Sequence, residues 1–281
     1  MTQKISAKEI ILERGLKPKK SFGQNFMLDQ QVNSIFAGAV AGLGHNLRVI
    51  EIGAGTGSLT RHLLKFAEVV HAVERDRDLI PILSAEFEDA IAEKKLVLHE
   101  ADGARFDLSS LFSVDKPGVL AGNLPYHLTS SILFLALRHI ECLQGAVFLV
   151  QKEVADRLAA SPNTKQYGFL TVVLKLVFKI ERVAIVNRNA FWPIPKVDSA
   201  IIQLARLENG SKISDLEKFI VFVRETFQQR RKKLSTILRN KLNTDQFLRA
   251  QIDPNLRPEN LTPEQFLVLF NEQQNPAHKS P

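Results

Sequence analysis

The chain has a single cysteine, Cys142, among 281 residues. One thiol closes no disulfide within the chain and builds no cysteine-based zinc site, so a reducing, cytoplasmic compartment is expected. The seven histidines are scattered without metal-ligand spacing, and no metal is expected. Apolar stretches are of strand length and broken by charge, which excludes a membrane-spanning helix and a membrane partner. No signal peptide is recognisable. Glu9 and Glu13, set among Lys4, Lys8 and Arg14, argue against a transit peptide, so the start reads as mature sequence. Internal repeats and low-complexity blocks are also missing.

What is present is an ordinary globular composition, 45% apolar and 24% charged, in a chain long enough for one full domain and a small appendage. The net charge of +7 favours a polyanionic partner, provided the charge is gathered on a surface. Strand-length apolar segments at 47–52, 69–73, 96–99, 119–121 and 146–150 alternate with helical patterns at 59–66, 79–91, 130–137 and 152–159. That alternation predicts an α/β domain around a mostly parallel sheet covered on both faces. Residues 170–186 and 200–207 read as two further strands, an antiparallel pair at the sheet edge. The polar stretch 208–212 reads as a linker. Helical patterns come after it, including a helix start at Thr262-Pro263-Glu264, with Thr as N-cap and Pro in the first turn, and the last few residues are expected to fray. The division expected is a catalytic domain over 1–207 and a small all-helical domain over 208–281.

Segment 47–52 runs into Gly53-Ala54-Gly55-Thr56-Gly57. Glycines there let the backbone turn sharply and approach a ligand at the carboxyl end of a central strand. Glu74 ends the next strand and can accept both hydroxyls of a ribose. Asp102 comes after the third strand and can accept the amino group of an adenine ring. A dinucleotide site would favour G-x-G-x-x-G; the G-x-G-x-G seen here, preceded by Glu51, is closer to the S-adenosylmethionine loop of class I methyltransferases. Taken singly, the loop is also compatible with a tight strand–helix turn, and each acid with a helix cap.

Gly122-Asn123-Leu124-Pro125-Tyr126 closes the fourth strand on the same edge. An exocyclic amine such as that of adenine is a poor nucleophile, because its lone pair is delocalised into the ring. The Asn123 side-chain oxygen and the Leu124 carbonyl can hold its two hydrogens and leave the lone pair aimed at a methyl donor. Pro125 biases Leu124 to an extended backbone. Tyr126 offers a flat face to a base that has left its stack. Alignment and electrostatics would supply most of the acceleration, with no strong base needed. An isolated Asn-x-Pro-Tyr is otherwise a strand-ending turn with a buried tyrosine, and His127 beside it reads as a polar neighbour.

By these motifs together, the chain resembles the ribosomal RNA adenine dimethyltransferase family, in its bacterial small-subunit branch, over nearly its whole length. Lys19-Lys20-Ser21-Phe22-Gly23-Gln24-Asn25-Phe26 is similar to the family's N-terminal signature, and Phe191-Trp192-Pro193-Ile194-Pro195-Lys196-Val197-Asp198-Ser199 to another. The resemblance implies a class I methyltransferase, Rossmann-like seven-stranded sheet and S-adenosyl-L-methionine as cofactor. It places Asn25, Met27, Gly53, Glu74, Asp102 and Asn123 on cofactor positions; Met27 stands where most members have Leu. It implies that Phe191 sandwiches the target base against Tyr126. It further implies that two neighbouring adenosines in the 3′-terminal hairpin of 16S rRNA are dimethylated, as a late checkpoint in 30S assembly.

The densest charge, Arg230-Arg231-Lys232-Lys233, falls on a helix expected over 216–242, with Phe222 and Phe227 on its core side. With Lys17, Lys19 and Lys20 it would form a phosphate-tracking surface, although a charge run is often only a solvated face. A monomer is expected. The alternatives are a large-subunit rRNA adenine methyltransferase of the macrolide-resistance type, a binding-only assembly factor, and a nicotinamide dehydrogenase, which the glycine spacing disfavours.

Overall fold

The structure, a computed structural model, describes residues 7–208 and 213–274. The expected linker, beyond Glu208, and the expected frayed end lie outside the described residues. The chain packs as two units, Met1–Ala155 with Ile180–Arg206, and Asp156–Lys179 with Leu207–Pro281.

The described residues include nine strands: β1 (Phe26–Met27), β2 (Arg48–Ile52), β3 (Val69–Glu74), β4 (Leu96–Glu100), β5 (Gly118–Asn123), β6 (Leu143–Gln151), β7 (Phe178–Val186), β8 (Phe191–Trp192) and β9 (Ser199–Arg206). Seven of them form one sheet in the order β4-β3-β2-β5-β6-β9-β7, and β1 pairs antiparallel with β8. β2 to β6 run parallel, and β9 is antiparallel to β6. Val49, Ile50, Val70, Val119, Leu120 and Val147 are fully buried, as apolar runs covered on both faces should be. Each such side chain contributes roughly 1.5–3 kcal/mol by leaving water. The chain winds outward through β2, β3 and β4 and then returns to place β5 beside β2. The resulting switch point between β2 and β5 is where open α/β sheets bind ligands.

In the second unit the helix Phe169–Lys175 packs with the helices Leu216–Gln228 and Pro263–Gln274. Aromatic contacts join them: Phe222 to Phe270 at 5.8 Å, Phe227 to Phe266 at 5.4 Å and Tyr167 to Phe227 at 6.0 Å between ring centres. The Tyr167 hydroxyl donates to the Leu261 carbonyl at 2.9 Å. The expected start of the last helix is as read, with Thr262 Oγ1 accepting from the Gln265 amide.

Four expectations are corrected. Residues 170–186 are not one strand: Phe169–Lys175 is a helix, and β7 starts at Phe178. Leu170, Thr171, Val172, Val173 and Leu174 are all buried, so this β-branched run shows neither helical nor strand periodicity. That helix belongs to the second unit, so the division is not a single break after residue 207. The helix expected over 79–91 breaks at Phe87, which lies at φ −122° and ψ 30°. The helix expected over 216–242 ends at Gln228. The next helical turn starts at Leu234, whose amide donates to the Leu256 carbonyl, while the Ser235 amide donates to Pro254.

Candidate active site

The carboxyl ends of β2, β3 and β5, the Asp102 turn after β4, the segment before β1 and the helix Gln30–Ala41 line one cavity of the first unit. Gly53 and Gly55 sit in it at φ +76° and +61°, conformations that L side chains rarely adopt, and so leave bare backbone at its floor. Glu74 ends β3 and is 7% exposed. Its two oxygens accept from the Gly55 amide at 2.8 Å and the Asp76 amide at 2.7 Å. Burial raises the Glu74 pKa, and those backbone bonds oppose the shift. Asp102 Oδ1 accepts from the Ala104 amide at 3.0 Å, and its Oδ2 lies 3.4 Å from Arg75.

The Asn123 turn is held from both sides. Asn123 Nδ2 donates to the Asn25 carbonyl at 2.9 Å, which leaves Oδ1 as the free acceptor of that amide among the described residues. The Leu124 amide donates to Leu149, fixing the turn on β6. The half-buried Tyr126 hydroxyl is bonded to Ser199 Oγ at 2.8 Å. Asn25, Met27, Gly53, Glu74, Asp102, Asn123, Leu124, Pro125 and Tyr126 are therefore brought to one cavity, all as lining residues.

Phe191 is not brought there. Its side chain is 1% exposed, β8 sets it opposite Met27, and it lies in the sheet's apolar core. The residue of that signature which reaches the turn is Ser199.

Three lining residues were missed as site residues. Glu51 interrupts the apolar β2 and is 1% exposed, accepting from Thr60 Oγ1 at 2.6 Å. Burial pushes its pKa up to about 8, helped by the nearby Glu74 and opposed by Thr60. A cation brought beside it would favour its charged form. Its signal was an acid in the apolar core of Arg48–Ile52, two residues ahead of Gly53. Asn33 is 3% exposed, and its Nδ2 finds no partner among the described residues. Gln24 lay in plain view inside the N-terminal signature.

Known proteins share this architecture. The family described as "Ribosomal RNA adenine dimethylase" matches residues 15–275. The chain belongs to the ribosomal RNA adenine dimethylase family. It is similar to "Ribosomal RNA small subunit methyltransferase A" of Laribacter hongkongensis, 41% identical over 256 residues, covering 90% of this chain and 95% of that one. The protein of the same name from Myxococcus xanthus is 39% identical, with 94% of each covered. Among solved structures, a dimethyladenosine transferase from Plasmodium falciparum superposes with a TM-score of 0.75 at 25% identity, covering 88% of this chain and 98% of that one. The 23S rRNA methyltransferase ErmE gives 0.69 at 27% identity, covering 89% and 100%. The expected class I methyltransferase fold, enzyme class and small-subunit branch are thereby borne out, and the dehydrogenase reading falls.

For a dimethylase of RNA, the basic residues matter, and they divide. Lys19 Nζ is bonded to Asp76 at 2.5 Å and to Asp78 at 2.7 Å, which ties it to acids of its own chain. Lys20 is exposed. Arg230 is engaged by the Lys165 carbonyl and Glu259 within the second unit. Arg231, Lys232 and Lys233 are exposed, on a turn instead of a helix, with Lys233 bonded to Asn255 at 2.9 Å. Among the described residues no helix is long and apolar enough to cross a membrane, and no three His, Cys, Asp or Glu gather as metal ligands.

Proposed function

We propose that the chain transfers methyl groups from S-adenosyl-L-methionine to the N6 amines of two adjacent adenosines in the 3′-terminal hairpin of 16S rRNA. The substrate is the immature 30S subunit in the cytoplasm, and the enzyme works as a monomer. The observation that carries this reading is Asn123: its amide nitrogen is committed to Asn25, which turns its oxygen into the acceptor of the site. The small-subunit target is supported by the names of the relatives at 39–41% identity, and the large-subunit alternative only by a structure at 27%.

The residues present fit the cofactor. A buried carboxylate at the end of β3 suits a ribose diol, bare glycine backbone at the floor suits a close-fitting ligand, and the unpartnered Asn33 amide offers a spare donor. Glu74, Asp102, Asn25, Met27 and Gly53 would hold it; bound, it supplies an electrophilic methyl on a sulfonium.

The chain's own part is orientation. Asn123 Oδ1 and the Leu124 carbonyl accept the two N6 hydrogens, which favours a pyramidal nitrogen with its lone pair exposed to the cavity. The proton lost on methylation leaves to solvent, so no strong base is required. Tyr126, pinned by Ser199, presents one face to the flipped base. Phe191 does not line the cavity, so this reading leaves it out of that clamp. Exposed Lys20, Arg231, Lys232 and Lys233 meet phosphates, and RNA is read by backbone and shape.

The test is mass mapping of methylated adenosines after incubation with unmethylated 30S particles and, separately, with naked large-subunit rRNA. Dimethylation of neighbouring adenosines in the 30S sample alone is expected, and its loss in Asn123→Ala with RNA binding retained. Turnover on large-subunit rRNA, or full activity of Asn123→Ala, would refute the reading.

A further inference from the structure

Residues 19–27 form a strap whose stretch from Phe22 to Met27 lines the cavity, and the strap is fastened at both ends by side chains of other elements. At its far end Asn123 Nδ2 holds the Asn25 carbonyl at 2.9 Å. At its near end the fastening is Asp76, which is 2% exposed. One Asp76 oxygen accepts from Lys19 Nζ at 2.5 Å, and the other from Gln24 Nε2 at 2.7 Å. Gln24 turns its own oxygen to the Lys19 amide at 2.7 Å, so the two strap residues are locked to each other as well as to Asp76. The Asp76 amide in turn donates to Glu74 Oε1, whose partner oxygen holds the Gly55 amide. Between the fastenings, Phe22 lines the cavity with its ring 5.2 Å from the guanidinium of Arg75, which also reaches Asp102.

We propose that Asp76 is a positioning residue: it clasps the strap over the adenosine end of the cavity and so sets how tightly the cofactor is held. This rests on the cofactor reading above. Asp76 has no place in the cavity lining, so its effect passes through Lys19, Gln24 and Glu74. Lys19 and Gln24 both donate to it, and only an ionised carboxylate offers each an oxygen. An amide in its place turns an NH2 toward one of those donors and opens half the clasp. Because Asn123 fastens the far end separately, the catalytic turn keeps its geometry when the clasp opens.

The experiment measures S-adenosylhomocysteine affinity by calorimetry, with KM and kcat on 30S particles, for wild type, Asp76→Asn, Lys19→Met and the double variant. Asp76→Asn is expected to weaken affinity and raise the cofactor KM about tenfold or more, with kcat at saturation within about threefold. Lys19→Met, a half-exposed change that folding tolerates, should show the same signature more weakly. The effects of the two substitutions should be less than additive in the double variant, because Lys19 acts chiefly through the buried Asp76 and its other partner, Asp78, is exposed. Unchanged affinity in both single variants would overturn the proposal, as would a fall in kcat alone, which marks general damage to the fold. Additive effects in the double variant would also overturn it. Wild type that fails to bind S-adenosylhomocysteine refutes the cofactor reading itself. Wild type that binds it but leaves 30S unmethylated refutes only the RNA target, and the affinities still decide on Asp76.

Discussion

Glu51→Gln tests how the site stores charge. Glu51 is the last residue but one of β2, at 1% exposure, and burial raises its pKa from 4.5 to about 8. The folded protein therefore keeps a proton that the unfolded chain releases above about 4.5. Stability falls as pH rises from there and levels off above about 8. A gap of about 3.5 pH units corresponds to at most about 5 kcal/mol. Glutamine keeps the shape and an oxygen for the Thr60 hydroxyl but has no proton to lose, so its curve lacks this slope. The midpoint of Glu51→Gln should rise relative to wild type between pH 5 and 8.5, by roughly 6–10 °C at about 2 °C per kcal/mol. Buried His71, lowered to about 4 by burial, by its bonded neighbour His99 and by Arg48, has the opposite sign. It stabilises the fold as pH rises toward the free imidazole value, but it is common to both proteins and cancels in the difference. Thermal melts of the two proteins in matched buffers decide the matter. Parallel midpoint curves from pH 5 to 8.5 would show that Glu51 is ionised in the folded state and refute the reasoning.

Glu74→Ala removes the acceptor at the end of β3 and the partner of the Gly55 amide; calorimetry with S-adenosylhomocysteine should show binding abolished, and wild-type affinity would take Glu74 out of the site. Replacing Arg231, Lys232 and Lys233 together by Ala should lower the slope of log affinity for 16S rRNA against log salt by roughly two, at about 0.7–0.9 per phosphate contact, whereas Arg230→Ala should chiefly cost stability through its pair with Glu259. Ser199→Ala frees the Tyr126 hydroxyl and should lower kcat several-fold with S-adenosylhomocysteine affinity unchanged; wild-type kcat would mean the ring needs no anchor.

The middle of the central sheet was legible in the sequence because β2, β5 and β6 are short apolar runs that are almost wholly buried. The small strands β1 and β8 were not, since two residues carry no periodicity, and their pairing joins segments far apart in the chain. Phe169–Lys175 shows the limit from the other side. A helix with so much of its surface buried leaves no polar stripe, and Val172 and Val173 then read as strand residues. The break at Gln228 was hidden for a different reason. Residues 229–233 carry no glycine or proline, and the chain turns where Leu256 and Pro254 offer acceptors to Leu234 and Ser235.

The site repeats this division at the scale of single groups. Residue type and position near a strand end were enough to nominate Glu74, Asp102 and Asn123, because the chemistry asks for an acceptor there. Direction was not legible, because the partner that sets it is remote in sequence. Asn123 presents its oxygen only because its nitrogen is engaged by Asn25, 98 residues away, and Tyr126 is anchored by Ser199, 73 residues away. Lys19 illustrates the cost of an unseen partner. In a row of lysines it reads as a phosphate contact, yet Asp76, 57 residues on, has already neutralised it. The same blindness explains Phe191, where an aromatic in a signature invites a stacking role while the pairing of β8 with β1 turns the ring into the core. At this site a distant partner decides what a side chain can still offer: Ser199 takes the Tyr126 hydroxyl and leaves its ring, whereas Asp76 takes the charge of Lys19 itself.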